Sequence, residues 1–158
     1  MVRVYIAGMD GYLGWPLALY LSARGHQVAG VDAHYRRDWV AEMGSQSATP
    51  ICGATERLSA ARERLGTDLV FLRGDLCNFE TVLRAFDAFQ PEAIVHLGEM
   101  PSAPFSMIDV GHCVYTHTNN LTGTLNILHA MKQVCPDAHL IKLDSIATTP
   151  SRQGQSGG

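Results

Sequence analysis

The chain reads as an α/β fold, a parallel sheet doubly wound with helices on both faces. Three observations predict it. Short apolar runs alternate with helical patterns along the whole chain, and that alternation is the mark of strands joined by crossover helices. Three glycines, Gly8, Gly11 and Gly14, follow the first apolar run and open the first helical pattern. An acid, Asp32, ends the second apolar run. Apolar residues make up 46% of the 158, enough for one domain with its own core.

The elements follow in order. Val2–Ala7 is a strand ending at Gly8, and Tyr12–Ala23 carries Leu13, Leu17, Leu19, Tyr20 and Leu21 at helical spacing until Gly25 closes it. Gln27–Val31 is a second strand. A polar stretch from Ala33 to about Thr55 is longer than a connection in such folds needs, which marks it as functional. Glu56–Leu65 is a short helix and Leu69–Leu72 a third strand. Asn78 is placed to cap a helix over Phe79–Phe89, with Glu80 in its first turn. Ala93–Leu97 is a fourth strand, and a polar loop runs from it to about Asp109. A long helix then reaches about Val134, where Pro136 stops it, and His139–Leu143 is a fifth strand. Right-handed crossovers give the order 3-2-1-4-5, truncated after about five strands. The domain spans 1–150. Residues 151–158, Ser-Arg-Gln-Gly-Gln-Ser-Gly-Gly, form a low-complexity end that reads as a disordered tail, a linker or an out-of-frame end.

Several function classes drop out. The net charge of −3 is no electrostatic footprint for nucleic acid. No apolar run reaches the ~20 residues that span a bilayer, and no signal peptide is seen. Cys52, Cys77, Cys113 and Cys135 show no Cys-x-x-Cys spacing, so they read as reduced thiols of a cytoplasmic protein, with no zinc site. The seven histidines form no metal-binding pair; His96 reads as a hydrogen-bonded strand residue.

The glycine turn carries the chemistry. Gly8 permits the tight turn, Gly11 lets the backbone approach a pyrophosphate, and Gly14 lets the helix pack close to the strand. The helix N-terminus offers free N–H groups to the phosphates. Asp32 stands where a carboxylate accepts from the adenosine ribose hydroxyls. Strand, glycines, helix, strand and acid together predict a Rossmann-type dinucleotide site. Asp32 repels a 2′-phosphate and so favours NAD over NADP, whereas Arg36 and Arg37 can bind such a phosphate, contact a pyrophosphate or anionic substrate, or stand as a solvated pair. Asp75, in Gly74-Asp75-Leu76 after the third strand, either accepts from the adenine amino group or caps a helix.

Residues 8–15 (Gly-Met-Asp-Gly-Tyr-Leu-Gly-Trp), 74–76, 96–99 (His-Leu-Gly-Glu), 102–109 (Ser-Ala-Pro-Phe-Ser-Met-Ile-Asp) and 119–126 (Asn-Asn-Leu-Thr-Gly-Thr-Leu-Asn) resemble the extended short-chain dehydrogenase/reductase superfamily of NAD-dependent epimerases and dehydratases. The Asp-Gly-Tyr-x-Gly-Trp start, the Arg-Arg pair at 36–37, Thr-Pro-Ile at 49–51 and the Ser-Ala-Pro-x-Ser-Met-Ile-Asp run are most similar to its UDP-sulfoquinovose synthase branch. The resemblance covers residues 1 to about 145. It implies a nucleotide-sugar enzyme that oxidises a UDP-hexose transiently at C4, with UDP-glucose and sulfite as substrates and sulfolipid biosynthesis as the setting. It also implies roles. Tyr12 and Leu13 contact the pyrophosphate, and Asp32, Ala33, His34, Tyr35 and Arg36 surround the ribose. Asp75 and Leu76 hold adenine, while Leu97, Gly98 and Glu99 line the cofactor. Asn119 or Asn120 stands on the nicotinamide side. Ser145 occupies the place of the family's active-site threonine. A homodimer through the helix at about 110–134 is implied as well.

Three departures stand against this. Met100-Pro101 replaces the family's Gln-Arg, which removes a cation that would meet substrate. Asp144-Ser145-Ile146-Ala147 replaces Gly-Thr-Met-Gly. None of Tyr5, Tyr12, Tyr20, Tyr35 and Tyr115 is followed four residues on by lysine, so the Tyr-x-x-x-Lys dyad is missing, as is the C-terminal substrate-binding part. The chain therefore reads as an N-terminal portion, inactive by itself. Two alternatives stay open: a UDP-sugar 4-epimerase or 4,6-dehydratase, and a non-catalytic NAD-binding module or pseudoenzyme. Glu99 either orients substrate or is a solvated loop acid.

Overall fold

The computed structural model describes residues 1–143, so Ser145 and the tail at 151–158 lie outside the described residues. Five parallel strands form one sheet in the order β3-β2-β1-β4-β5, as predicted. They are β1 (Arg3–Ala7), β2 (Gln27–Asp32), β3 (Leu69–Arg73), β4 (Ala93–His96) and β5 (His139–Lys142). The helices are α1 (Gly14–Ser22), α2 (Tyr35–Glu42), α3 (Ala54–Leu65), α4 (Phe79–Phe89), α5 (Ala103–Ser106) and α6 (Val110–Val134).

The central strand shows why both faces must be covered. Side chains alternate along a strand. Tyr5 and Ala7 of β1 enter one cluster with Val31, Phe86, Ile94 and Ile127, beneath α4 and α6. Val4 and Ile6 enter the other, with Met9, Ala18, Val28 and Val95, beneath α1. A strand buried on both faces reads as an unbroken apolar run, which is how β1, β2 and β4 appear in the sequence. Phe86 is fully buried, and its ring meets Tyr5 edge-on at 5.1 Å.

Helix ends sit where the chain offers caps. The Asn78 side chain accepts from Thr81 N at 3.2 Å at the start of α4, and Asp109 accepts from His112 N at 2.9 Å at the start of α6. Two helices were not expected. α2 forms inside the stretch read as a polar loop, and α5 inside the loop before Asp109. Neither has a strong apolar stripe of its own. They are held by aromatic contacts between distant parts of the chain. Trp39 of α2 lies 5.7 Å from Phe105 of α5 and 5.4 Å from Tyr115 of α6. No helix among the described residues is long and apolar enough to cross a membrane.

Truncating Phe86 to alanine is expected to cost about 3–5 kcal/mol of stability, because the cavity would open at the centre of the larger cluster. A urea unfolding series on the variant measures it; a loss below about 1 kcal/mol would show that this cluster does not carry the fold.

Candidate functional site

The carboxyl ends of β1, β2 and β4 converge on the glycine turn. Gly8 has φ +85°, and a Cβ there would stand 2.7 Å from the carbonyl carbon of Leu97. Only glycine serves at that crossing of two backbones. Gly8 N and Met9 N both donate to Val31 O, at 2.8 and 3.1 Å, which ties the turn to the end of β2. A Cβ at Gly14 would collide with Gly8 O, so this glycine sets how closely α1 approaches. Gly11 differs: a Cβ there would meet only Gly8 O, at 3.3 Å, and the residue lines a cleft.

That cleft has a volume of about 1360 Å³. Most of the residues singled out from the sequence form its wall: Gly8, Gly11, Tyr12, Asp32, Ala33, His34, Tyr35, Arg36, Asp75, Leu76, Leu97, Gly98, Glu99 and Asn119. Leu13 and Gly14 are not on the wall: Gly14 opens α1, and the exposed Leu13 precedes it as its cap residue. Asn120 is turned away to clamp the loop after β4. Its Oδ1 accepts from Met100 N at 2.8 Å and its Nδ2 donates to Met100 O at 3.1 Å. The Met100 side chain is buried while Pro101 is exposed. The substitution noted in the sequence has thus made position 100 a packing residue.

Asp32 is held by its neighbours. It accepts from Asp10 N at 3.1 Å and from His34 N at 2.8 Å. Burial pushes its carboxyl above the ordinary range, and these two N–H donors oppose that shift. Asp75 accepts from Cys77 N at 2.8 Å, an acid-closed turn, and from the Tyr35 hydroxyl at 3.4 Å. α6 holds this turn from behind: Asn126 Nδ2 donates to Leu76 O at 2.8 Å.

A second group joins the ends of β4 and β5. His96 is 1% exposed. Its Nδ1 accepts from Gly98 N at 3.3 Å and its Nε2 lies 3.2 Å from Thr124 Oγ1. The two contacts together select the tautomer protonated at Nε2. Burial lowers its pKa to about 4. Glu99 is no bare loop acid, since Lys142 Nζ stands 2.9 Å from its Oε1.

Sequence reasoning missed Asp10, Trp15 and Arg57. The Asp10 side chain is 8% exposed and sits between two cations. Arg37 Nη2 donates to it at 2.7 Å and Arg57 Nη1 at 2.5 Å. The Arg57 guanidinium also lies over the Trp15 ring, 4.0 Å from its centroid. The one available signal was an acid inside a glycine turn whose neighbours offered no reason for it. Arg37 is therefore a paired residue rather than a solvated one, while Arg36 is exposed.

Residues 4–156 match the model of the NAD dependent epimerase/dehydratase family. The chain is 43% identical over 145 residues to UDP-sulfoquinovose synthase of Sulfolobus acidocaldarius, covering 92% of this chain and 37% of that protein. It is 40% identical over 144 residues to the chloroplastic UDP-sulfoquinovose synthase of Spinacia oleracea, covering 91% and 30%. The chain thus spans about a third of the length of these curated relatives. Among solved structures, UDP-glucose 4-epimerase of Thermus thermophilus in complex with NAD superposes with a TM-score of 0.61 at 31% identity, over 84% of this chain and 34% of that one.

His96 makes stability depend on pH. At pH values above its ordinary 6.5 the imidazole is neutral whether folded or unfolded and the group has no effect. As pH falls from 6.5 toward 4, the unfolded chain takes up a proton that the folded one refuses. The expected loss is on the order of 3 kcal/mol over that range. Urea midpoints across it should fall steeply for the native protein and less for His96→Asn; equal slopes would show that His96 is not responsible.

Proposed function

The chain belongs to the NAD dependent epimerase/dehydratase family, and from that premise we propose that it holds NAD in the cleft at the ends of β1, β2 and β4 for work on a UDP-sugar. The observation that carries the reading is Asp32, a carboxylate fixed by two backbone N–H groups at the rim of a turn in which Gly8 and Gly14 leave no space for a Cβ. The residues present fit a dinucleotide. Gly11 leaves room for phosphate, and the N-terminus of α1 is free of any side-chain cap. Asp32 takes the ribose hydroxyls, Asp75 and Leu76 the adenine, and Leu97, Gly98, Glu99 and Asn119 the nicotinamide side. Bound NAD supplies reversible hydride transfer at a sugar carbon.

The sugar chemistry proposed is that of a UDP-sulfoquinovose synthase, acting on UDP-glucose and sulfite through transient oxidation at C4. Identity of 43% to one such protein and 40% to another supports it. The task assigned to these 158 residues is to bind, orient and keep water from the reacting carbon. Proton transfer is not assigned to them, because no tyrosine here is followed four residues on by lysine. Ser145 keeps the hydroxyl proposed for the active site. A second reading, 4-epimerase or 4,6-dehydratase, is favoured by one observation: Met100 is packed inward and Pro101 carries no charge for an anion such as sulfite. The four cysteines are all unpaired, in keeping with a cytoplasmic setting.

A homodimer is proposed through α6. Val114, Leu121, Leu125 and Leu128 are exposed at spacings that share one side of the helix. Leu121→Glu together with Leu128→Glu is expected to turn a dimer into a monomer by analytical ultracentrifugation. An unchanged mass would remove that face from the assembly.

Calorimetric titration tests the cofactor. NAD is expected to bind with clear preference over NADP, and Asp32→Ala should weaken NAD by roughly tenfold or more. Gly11→Ala should also weaken it, since the new methyl group would point into the space given to phosphate. Incubation with NAD and UDP-glucose, with and without sulfite, should yield no product from this chain alone. Absence of binding by either dinucleotide would overturn the reading.

A further inference from the structure

The geometry points to Asp10 as the residue that sets the choice between NAD and NADP, by holding Arg37 and Arg57 in ion pairs that deny them to a 2′-phosphate. The inference rests on the NAD reading above and deepens it.

Asp10 is next to the proposed ribose position, for its own N–H donates to Asp32 Oδ2 at 3.1 Å. Its carboxylate is nearly buried, and both oxygens are used. Oδ2 accepts from Arg37 at 2.7 Å through Nη2 and 3.2 Å through Nε. Oδ1 accepts from Arg57 at 2.5 Å. Asp10 thus sits between two guanidiniums with the Asp32 carboxylate bonded to its N–H, and the formal charges of the four groups sum to zero. A 2′-phosphate brings close to two negative charges. It would enter a neutral group with Asp32 beside it and find its natural partners engaged, since guanidinium binds phosphate and carboxylate with the same planar fork.

The two arginines are not equally held. Arg57 is pinned three ways: by the Asp10 carboxylate, by the Asp10 carbonyl at 3.3 Å and by the Trp15 ring. Its side chain is 16% exposed, against 34% for Arg37. Beyond Asp10, the Arg37 guanidinium has among the described residues only a 3.4 Å contact to Cys52 O. Arg37 is the guanidinium free to turn once its acid is gone. Asp10 therefore acts as a specificity-determining residue through Arg37, without touching the cofactor's distinguishing phosphate itself.

The test is calorimetric titration of NAD and NADP into the full chain and its variants, with circular dichroism to verify folding. Asp10→Asn keeps the shape and removes the charge. It is expected to tighten NADP by about tenfold or more while moving NAD by less than about threefold. The double variant Asp10→Asn with Arg37→Ala should lose that gain, which a merely structural ion pair would not predict. Arg37→Met alone, which leaves Asp10 paired to Arg57, should bind NAD within about threefold of the native chain, and this arm decides the matter where Asp10→Asn does not fold. Unchanged NADP affinity in folded Asp10→Asn overturns the inference. So does a tenfold loss of NAD in Arg37→Met, which would mean that Arg37 serves the cofactor directly. A native chain that binds neither dinucleotide overturns the cofactor reading itself, an outcome separate from both.

Discussion

The close crossing of backbones at Gly8 is the constraint on which the rest of the structure depends. The turn after β1 passes over the start of the loop after β4, with no space for a Cβ between them. The same turn donates two backbone hydrogen bonds to the last carbonyl before Asp32. Three strand ends are thereby fixed against one another through main-chain atoms alone. Main-chain contacts have no rotamers to lose, so a site built on them is stiff before any ligand arrives. The position of the Asp32 carboxylate follows from this, because both of its N–H donors belong to the turn and to its own strand's continuation.

The asparagines of α6 and His96 are hydrogen-bonded in ways that separate binding from support. Asn120 and Asn126 look alike in sequence, and both face loops at the carboxyl edge, yet each is consumed by backbone. One holds Met100 and the other Leu76. Asn119, one residue from Asn120, is the one that reaches the cleft. His96 is kept neutral by burial and spends both ring nitrogens on support. The acid beside it, Glu99, meets Lys142 from the neighbouring strand. The lower rim of the cleft is therefore a hydrogen-bonded frame, while its open wall carries Tyr12, Arg36 and Tyr35 on the surface.

The outer wall is of another kind. α2 buries no residue of its own fully, and its place is set by Trp39 against Phe105 and Tyr115. His112 extends the joint, with Asp109 Oδ1 at 2.8 Å from Nδ1 and Glu42 Oε1 at 2.9 Å from Nε2. Its pKa is raised by the hydrogen bond to Asp109 first and to Glu42 second. These contacts join α2 to the start of α6 across a long stretch of chain. Phe105 and Tyr115 find their partner in Trp39, a tryptophan within the stretch read from the sequence as a polar loop.

The sequence by itself determined the sheet order, the glycine turn and the acid at the end of β2. These rest on local physics: a strand buried on both faces is an apolar run, a backbone crossing needs glycine, and helix starts need caps such as Asn78 and Asp109. Hence β1 through β5, α1, α3, α4 and α6 were legible within a residue or two. The tertiary structure alone decided the rest. α2 and α5 exist because distant aromatic rings meet. Leu13 and Asn120 stand off the cleft wall that their neighbours form. Asp10, Arg37 and Arg57, far apart in the chain, become one charged group only when α2 and α3 are folded over the glycine turn. Charge pairing depends on distance in space, and spacing along the chain carries no record of it.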